Sequence, residues 1–95
     1  GYVTAKAGLM GMTKALSKEF GEHSIRVNAI VPGWVATDRQ LSSWLTEKEE
    51  EKWMDSMALK KRISPEDVAN LALFLASNDS ALITGQSIII DGGRT

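Results

Sequence analysis

Tyr2 and Lys6 stand four residues apart in the stretch Gly1-Tyr2-Val3-Thr4-Ala5-Lys6. On a helix this spacing puts both side chains on one face, one turn apart. A phenol beside an ammonium can work as a general acid/base pair. Tyrosine ordinarily titrates near ~10, and an adjacent positive charge favours the phenolate and lowers that value. The ammonium keeps spare donors for a sugar-like hydroxyl. The plain alternative is a surface pair worth about 0.2–0.5 kcal/mol.

A second group of candidates lies in Pro32-Gly33-Trp34-Val35-Ala36-Thr37-Asp38. It follows Ile25-Arg26-Val27-Asn28-Ala29-Ile30-Val31, whose apolar residues fall on both faces of an extended segment, the pattern of a strand in a parallel sheet. Pro32-Gly33 stops that strand, so the loop lies beyond its carboxyl end, where open α/β sheets bind ligands. Free backbone amides, the Thr37 hydroxyl and the flat Trp34 ring would form a ligand lip. Alternatively, the loop is a strand-to-helix turn in which Trp34 packs and Asp38 caps.

These candidates need elements to hold them. Val3 to about Gly21 reads as a helix with a core stripe of Ala5, Leu9, Met12, Leu16 and Phe20. Gly8 and Gly11 each cost a helix about 1 kcal/mol, which predicts a second backbone passing close by. The pair Met10 and Met12 reads as packing, and His23, the single histidine, as a loop residue. Arg39 to Ala58 reads as two helical pieces. The second opens at Thr46-Glu47-Lys48-Glu49, a capping-box pattern, with Glu49, Glu50 and Glu51 as a solvated face. Trp44, Trp53, Met54 and Met57 give this segment an apolar side suited to a lid. Lys60-Lys61-Arg62 reads as a complement to a helix C-terminus.

Ser64-Pro65-Glu66-Asp67 is a strong helix start. The helix it opens, to about Ser77, is apolar almost all round and so needs burial on more than one side, by a sheet and by a second subunit. Gln86 to Ile90 ends in a β-branched run, the mark of a strand buried on both faces, and Asp91-Gly92-Gly93 closes it. Strand, crossover helix and strand make a βαβ unit.

Composition excludes several classes. The chain has 95 residues, enough for one small domain, and 43% of them are apolar. At this size about 60–65% of the unfolded surface can be buried. Eleven basic and twelve acidic residues give a net charge of −1, so no basic field invites nucleic acid. No apolar run approaches the ~18 residues that span a bilayer. Without cysteine there is neither a disulfide nor a thiolate metal site.

Taken together, Tyr2-x-x-x-Lys6, Arg26-Val27-Asn28 leading to Pro32-Gly33-x-x-x-Thr37, Ser64-Pro65-Glu66-Asp67-Val68-Ala69, and Thr84-Gly85-Gln86 followed by Asp91-Gly92-Gly93 resemble the C-terminal part of a short-chain dehydrogenase/reductase. The resemblance implies an α/β fold, the C-terminal part of a Rossmann-type doubly wound parallel sheet, with two strands and three to four helices in this chain. It implies a single partial domain over residues 1–95 that lacks the N-terminal cofactor-binding half, with residues 38–58 as the substrate lid. The implied activity is NAD- or NADP-dependent hydride transfer to or from a small alcohol, carbonyl or sugar, in a cytoplasmic homo-tetramer or dimer. Tyr2 would exchange the proton at the substrate oxygen. Lys6 would bind the nicotinamide ribose and lower the Tyr2 pKa. Pro32, Gly33, Val35 and Thr37 would line the nicotinamide end, with Tyr2 and Lys6 beside it.

Gly33-Trp34-Val35-x-Thr37-x-Arg39-Gln40 is similar to family members that oxidise free aldoses at C1. In that reading Arg39 and Gln40 donate to sugar hydroxyls while Trp34 or Trp44 stacks on a pyranose face. An acyl or ketone reductase is the alternative within the family. The family's Gly-rich phosphate loop, its Asn-Ala-Gly segment and its catalytic serine all precede the tyrosine and are absent from this sequence. The expectation is therefore a piece of a longer enzyme, or a remnant that survives as an oligomerising or structural module.

Overall fold

The computed structural model describes residues 1–35 and 47–95. Helix α1 spans Tyr2–Phe20, strand β1 Ala29–Pro32, helix α2 Glu47–Asp55, helix α3 Pro65–Ala76 and strand β2 Ser87–Ile90. Short 3-10 turns at Gly21–His23 and Asn78–Ser80 follow α1 and α3. The strands are parallel neighbours, pairing Ala29 with Ser87 and Pro32 with Ile90. Both α1 and α3 pack on β1. This is a partial α/β Rossmann-type unit, with α3 in the connection between the strands. No helix among the described residues is long and apolar enough to cross a membrane.

Helix α1 meets the rest of the molecule on a face displaced from the expected apolar stripe that keeps part of it. Thr13 and Ser17 are buried and Leu16 and Phe20 of that stripe are half-buried beside them, whereas Leu9 and Met12 are exposed. The reason is close approach. Gly85 has φ +73°, and a Cβ there would sit 2.7 Å from the Ser17 Oγ. Only small side chains fit between α1 and the loop entering β2. The two buried hydroxyls stay satisfied by donating to the Leu9 and Lys14 carbonyls, each at 2.7 Å. Gly8 and Gly11, which suggested a passing backbone, face open space instead. Gly21 keeps right-handed helical backbone and opens the 3-10 turn that follows α1, and the chain turns at Ser24 with φ 60°. His23 lies in that turn beside Glu22 at 3.4 Å.

Strand β1 is shorter than its apolar pattern predicts. Residues Ile25 to Asn28 make no ladder, because side chains take the place of strand pairing there. The Val27 amide donates to Thr84 Oγ1 at 3.0 Å, and Asn28 accepts from the Gln86 amide at 3.1 Å while donating to the Ile83 carbonyl at 2.9 Å. Ladder pairing then begins with Ala29, which is buried together with Val31.

Helix α3 starts as its sequence predicts. The Asp67 amide donates to Ser64 Oγ at 3.2 Å and the Ser64 amide to Asp67 Oδ2 at 2.8 Å, a reciprocal capping box with Pro65 at the first position. The expected burial on two sides is not met within this chain. No residue of α3 is buried, and Leu73 and Phe74 are exposed. Ile89 of β2 is exposed too.

Candidate active site

The carboxyl ends of β1 and β2 converge on one loop cluster. The Gly33 amide donates to the Ile90 carbonyl at 2.9 Å, carrying the ladder one step beyond β1. A Cβ on Gly33 would come within 3.0 Å of Asp91 Cβ and 3.2 Å of its Cα, so the two segments touch closely there and a larger residue would have to push Asp91 aside. Val35 then forms an isolated parallel bridge with Ile63, tying the loop to the segment before α3.

Asp91 organises the residues after β2. Its Oδ1 accepts from the Gly93 and Arg94 amides at 2.9 and 3.3 Å. Its Oδ2 accepts from the Thr95 hydroxyl at 2.6 Å and the Thr95 amide at 3.1 Å. The Thr95 hydroxyl first, and then these amides, hold the Asp91 carboxyl below the usual carboxylate range, against the opposing effect of burial. Because the folded pKa is depressed, the unfolded chain binds more protons in acid, and the contribution of Asp91 is lost as pH falls through the folded value. Asp67, lowered by the Ser64 amide and hydroxyl, and Glu50, lowered by Arg62, act in the same direction. Asp91→Asn will therefore lower the melting temperature at neutral pH and shrink, without abolishing, its fall below about pH 4. Melts of both proteins across that range check this; parallel acid limbs would refute it.

Helix α2 is fastened over the cluster. Lys60 Nζ donates to the Asp55 and Met57 carbonyls at 3.1 and 3.0 Å, completing the helix end as the basic run predicts. Arg62 instead forms a two-pronged pair with Glu50, its Nη2 at 2.8 Å from Oε2, so Glu50 is not simply part of a solvated face. The Leu59 amide donates to the Gly92 carbonyl at 2.7 Å, and Gly92 and Gly93, both at positive φ, pack against Met57 and Ala58. Trp53 of α2 thereby meets Trp34 edge to face, with centroids 6.2 Å apart and planes at 70°. Arg94 lies over the Trp53 ring, its Cζ 4.0 Å from the centroid.

Between these parts is a cleft of about 420 Å³ whose wall includes Lys6, Pro32, Gly33, Trp34, Trp53 and Arg94. The indole nitrogen of Trp34 is buried and has no hydrogen-bond partner among the described residues. Two cationic side chains and two aromatic rings thus line one cleft at the carboxyl ends of parallel strands. A family model described as enoyl-(acyl carrier protein) reductase matches residues 1–95. The chain belongs to the short-chain dehydrogenase/reductase family.

Named relatives of this short-chain dehydrogenase/reductase chain differ in substrate. It is 51% identical over 92 residues to a D-xylose 1-dehydrogenase of Caulobacter vibrioides, covering 97% of this chain and 37% of that protein. It is 47% identical over 92 residues to a 3-oxoacyl-(acyl-carrier-protein) reductase of Chlamydia muridarum, covering 97% of this chain and 36% of that protein. Among solved structures, 4-hydroxyisoleucine dehydrogenase complexed with NADH superposes with a TM-score of 0.86 at 33% identity, covering 99% of this chain and 39% of that one. The chain thus spans a little over a third of the length of these relatives.

Of the short-chain dehydrogenase/reductase residues singled out in the sequence, Lys6, Pro32, Gly33 and Trp34 come together in the cleft wall. Tyr2 opens α1, one helical turn before Lys6. Val35 is engaged by its bridge to Ile63. Thr37, Arg39, Gln40 and Trp44 lie outside the described residues, as does most of the first helical piece expected after Arg39. Asp91, Arg94 and Thr95 were not singled out as site residues, and Trp53 stood only as an apolar residue of its segment. All four line the cleft. They approach Lys6 and Trp34 through the strand pairing, across separations that no local pattern encodes.

Proposed function

We propose that this chain is the proton-transfer and nicotinamide-end segment of an NAD- or NADP-dependent oxidoreductase acting on a small alcohol or carbonyl. The observation that carries the reading is the position of Lys6, four residues after Tyr2 on α1, in the wall of the cleft at the strands' carboxyl ends. The residues fit a nicotinamide cofactor. Lys6 places a cation in the cleft wall, beside the Pro32-Gly33 loop and the aromatic ring of Trp34. A bound cofactor would supply the hydride donor or acceptor. Lys6 would hold its ribose, with Pro32, Gly33, Val35 and Thr37 lining its nicotinamide end.

Tyr2 would exchange the proton at the substrate oxygen, its phenolate favoured by the Lys6 ammonium. Trp34 and Trp53, in contact edge to face, form an aromatic part of the cleft wall. The region 38–58, to which Trp53 belongs, serves as the substrate cover. An aldose is the substrate the family likeness favours, in keeping with the xylose dehydrogenase among the relatives and with two rings suited to stacking on a sugar. The uncovered apolar surface of α3 at Leu73 and Phe74 fits a homo-oligomer.

The test is turnover by the full-length enzyme. We expect nicotinamide reduction with NAD or NADP when aldoses and simple alcohols are offered, or its reverse with the matching carbonyls. Absence of turnover with both cofactors across such a panel would sink the reading.

A further inference from the structure

Arg94 is a charged side chain in the cleft wall that the proton-transfer and cofactor roles leave unused. Its position is fixed from three sides. The backbone amide donates to Asp91 Oδ1, Nε donates to Ser56 Oγ at 3.0 Å, and the guanidinium carbon sits 4.0 Å above the Trp53 ring centroid. Neither terminal nitrogen has a hydrogen-bond partner among the described residues, and no described carboxylate forms an ion pair with it. Asp91 shares the wall, but both its oxygens are taken up by Gly93, Arg94 and Thr95. A guanidinium held on an aromatic face, with its outer edge free, is built to accept a planar anion through paired hydrogen bonds.

We propose that Arg94 is a specificity residue that binds a carboxylate of the substrate, so that the preferred substrate is a hydroxyl-bearing acid rather than a neutral alcohol. The inference rests on the oxidoreductase reading of the cleft. Lys6 is engaged near the reacting end by that reading, and Arg94 offers the second cation for a group at the other end of the same small molecule. The Trp34 and Trp53 rings line the same cleft as both cations. A uronic acid combines the two features, a ring face for the indoles and a carboxylate for the guanidinium.

The test uses the full-length enzyme loaded with NAD, titrated with D-glucuronate and with D-glucose, and read by tryptophan fluorescence. This readout does not depend on turnover, so failure of the oxidoreductase reading, seen as lack of activity, is distinguishable from failure of this inference. Glucuronate is expected to bind at least roughly tenfold more tightly than glucose, the size of one hydrogen bond between charged partners. Arg94→Gln will bring the two within about threefold, and Arg94→Lys will keep part of the preference, because it retains the charge and loses the fork.

Equal affinities in the wild type, or failure of both sugars to bind, overturn the proposal. So does an equal loss of both in Arg94→Gln, which would mark a purely structural role. Weakened NAD affinity in Arg94→Gln with the acid preference intact also overturns it, by assigning the guanidinium to a cofactor phosphate.

Discussion

Tyr2→Phe in the complete enzyme will abolish most turnover while leaving cofactor affinity nearly intact. A positioned general acid/base contributes about 10²–10⁴-fold in rate, and kcat will fall by at least that much. Lys6→Ala will behave differently, because in the function proposed above Lys6 would have two jobs. It will weaken cofactor binding as well as slow turnover, and the activity that survives will need higher pH, since Tyr2 then titrates nearer its ordinary ~10. A mere surface pair would be worth under about 1 kcal/mol and would be nearly silent in kinetics. Steady-state rates across pH, with cofactor titrations of both variants, separate the two cases. Near-wild-type turnover in Tyr2→Phe would end the catalytic assignment of α1.

Arg26→Ala is expected to cause the largest loss of stability. Arg26 Nη1 donates to the Ser80 carbonyl at 3.0 Å and the Ser80 hydroxyl at 2.9 Å, and Nη2 donates to the Ser77 carbonyl at 3.2 Å. Ser80 is only 1% exposed, so solvent cannot readily replace the guanidinium there. The Ser80 hydroxyl in turn lies within hydrogen-bond reach of the Phe74 and Leu75 carbonyls at the end of α3. One side chain thus joins the approach to β1, the turn after α3 and the approach to β2.

Leaving buried carbonyls unpaired costs about 1–3 kcal/mol each, and we expect Arg26→Ala to cost about 2–4 kcal/mol in all. Arg26→Lys will recover little, since one ammonium cannot span the same acceptors. Ser80→Ala, combined with Arg26→Ala, will cost less than the sum of the single changes, because both disrupt one network. Denaturant midpoints with an unchanged slope are the measure. A change below about 0.5 kcal/mol for Arg26→Ala would show that the network adds little.

The sequence by itself determined the elements with strong local signals. Ser64-Pro65-Glu66-Asp67 encodes its helix start completely, because an N-cap, a first-turn proline and an acid that reaches back are all local features. The order of helix, strand, two helices and strand follows from periodicity and capping patterns, and with it the placing of the Pro32-Gly33 loop beyond a strand's carboxyl end. Trp34 could be picked out as a candidate from that loop and Lys6 from its spacing to Tyr2, while the family came from the resemblance of the four motifs taken together.

The tertiary structure alone decided which face of α1 is covered. Thr13 and Ser17 are buried there because Gly85 brings another loop too close for larger side chains. It also decided where β1 begins, since Thr84 and Asn28 side chains replace the ladder before Ala29. The partners of the cleft came from it as well. Trp53 and Arg94 reach Trp34 only because Gly92 and Gly93 let the chain after β2 pack against Met57 and Ala58, and because Asp91 curls that chain back on itself. Such contacts depend on backbone separation and on the pairing of distant segments. Neither is written in the periodicity of any one stretch.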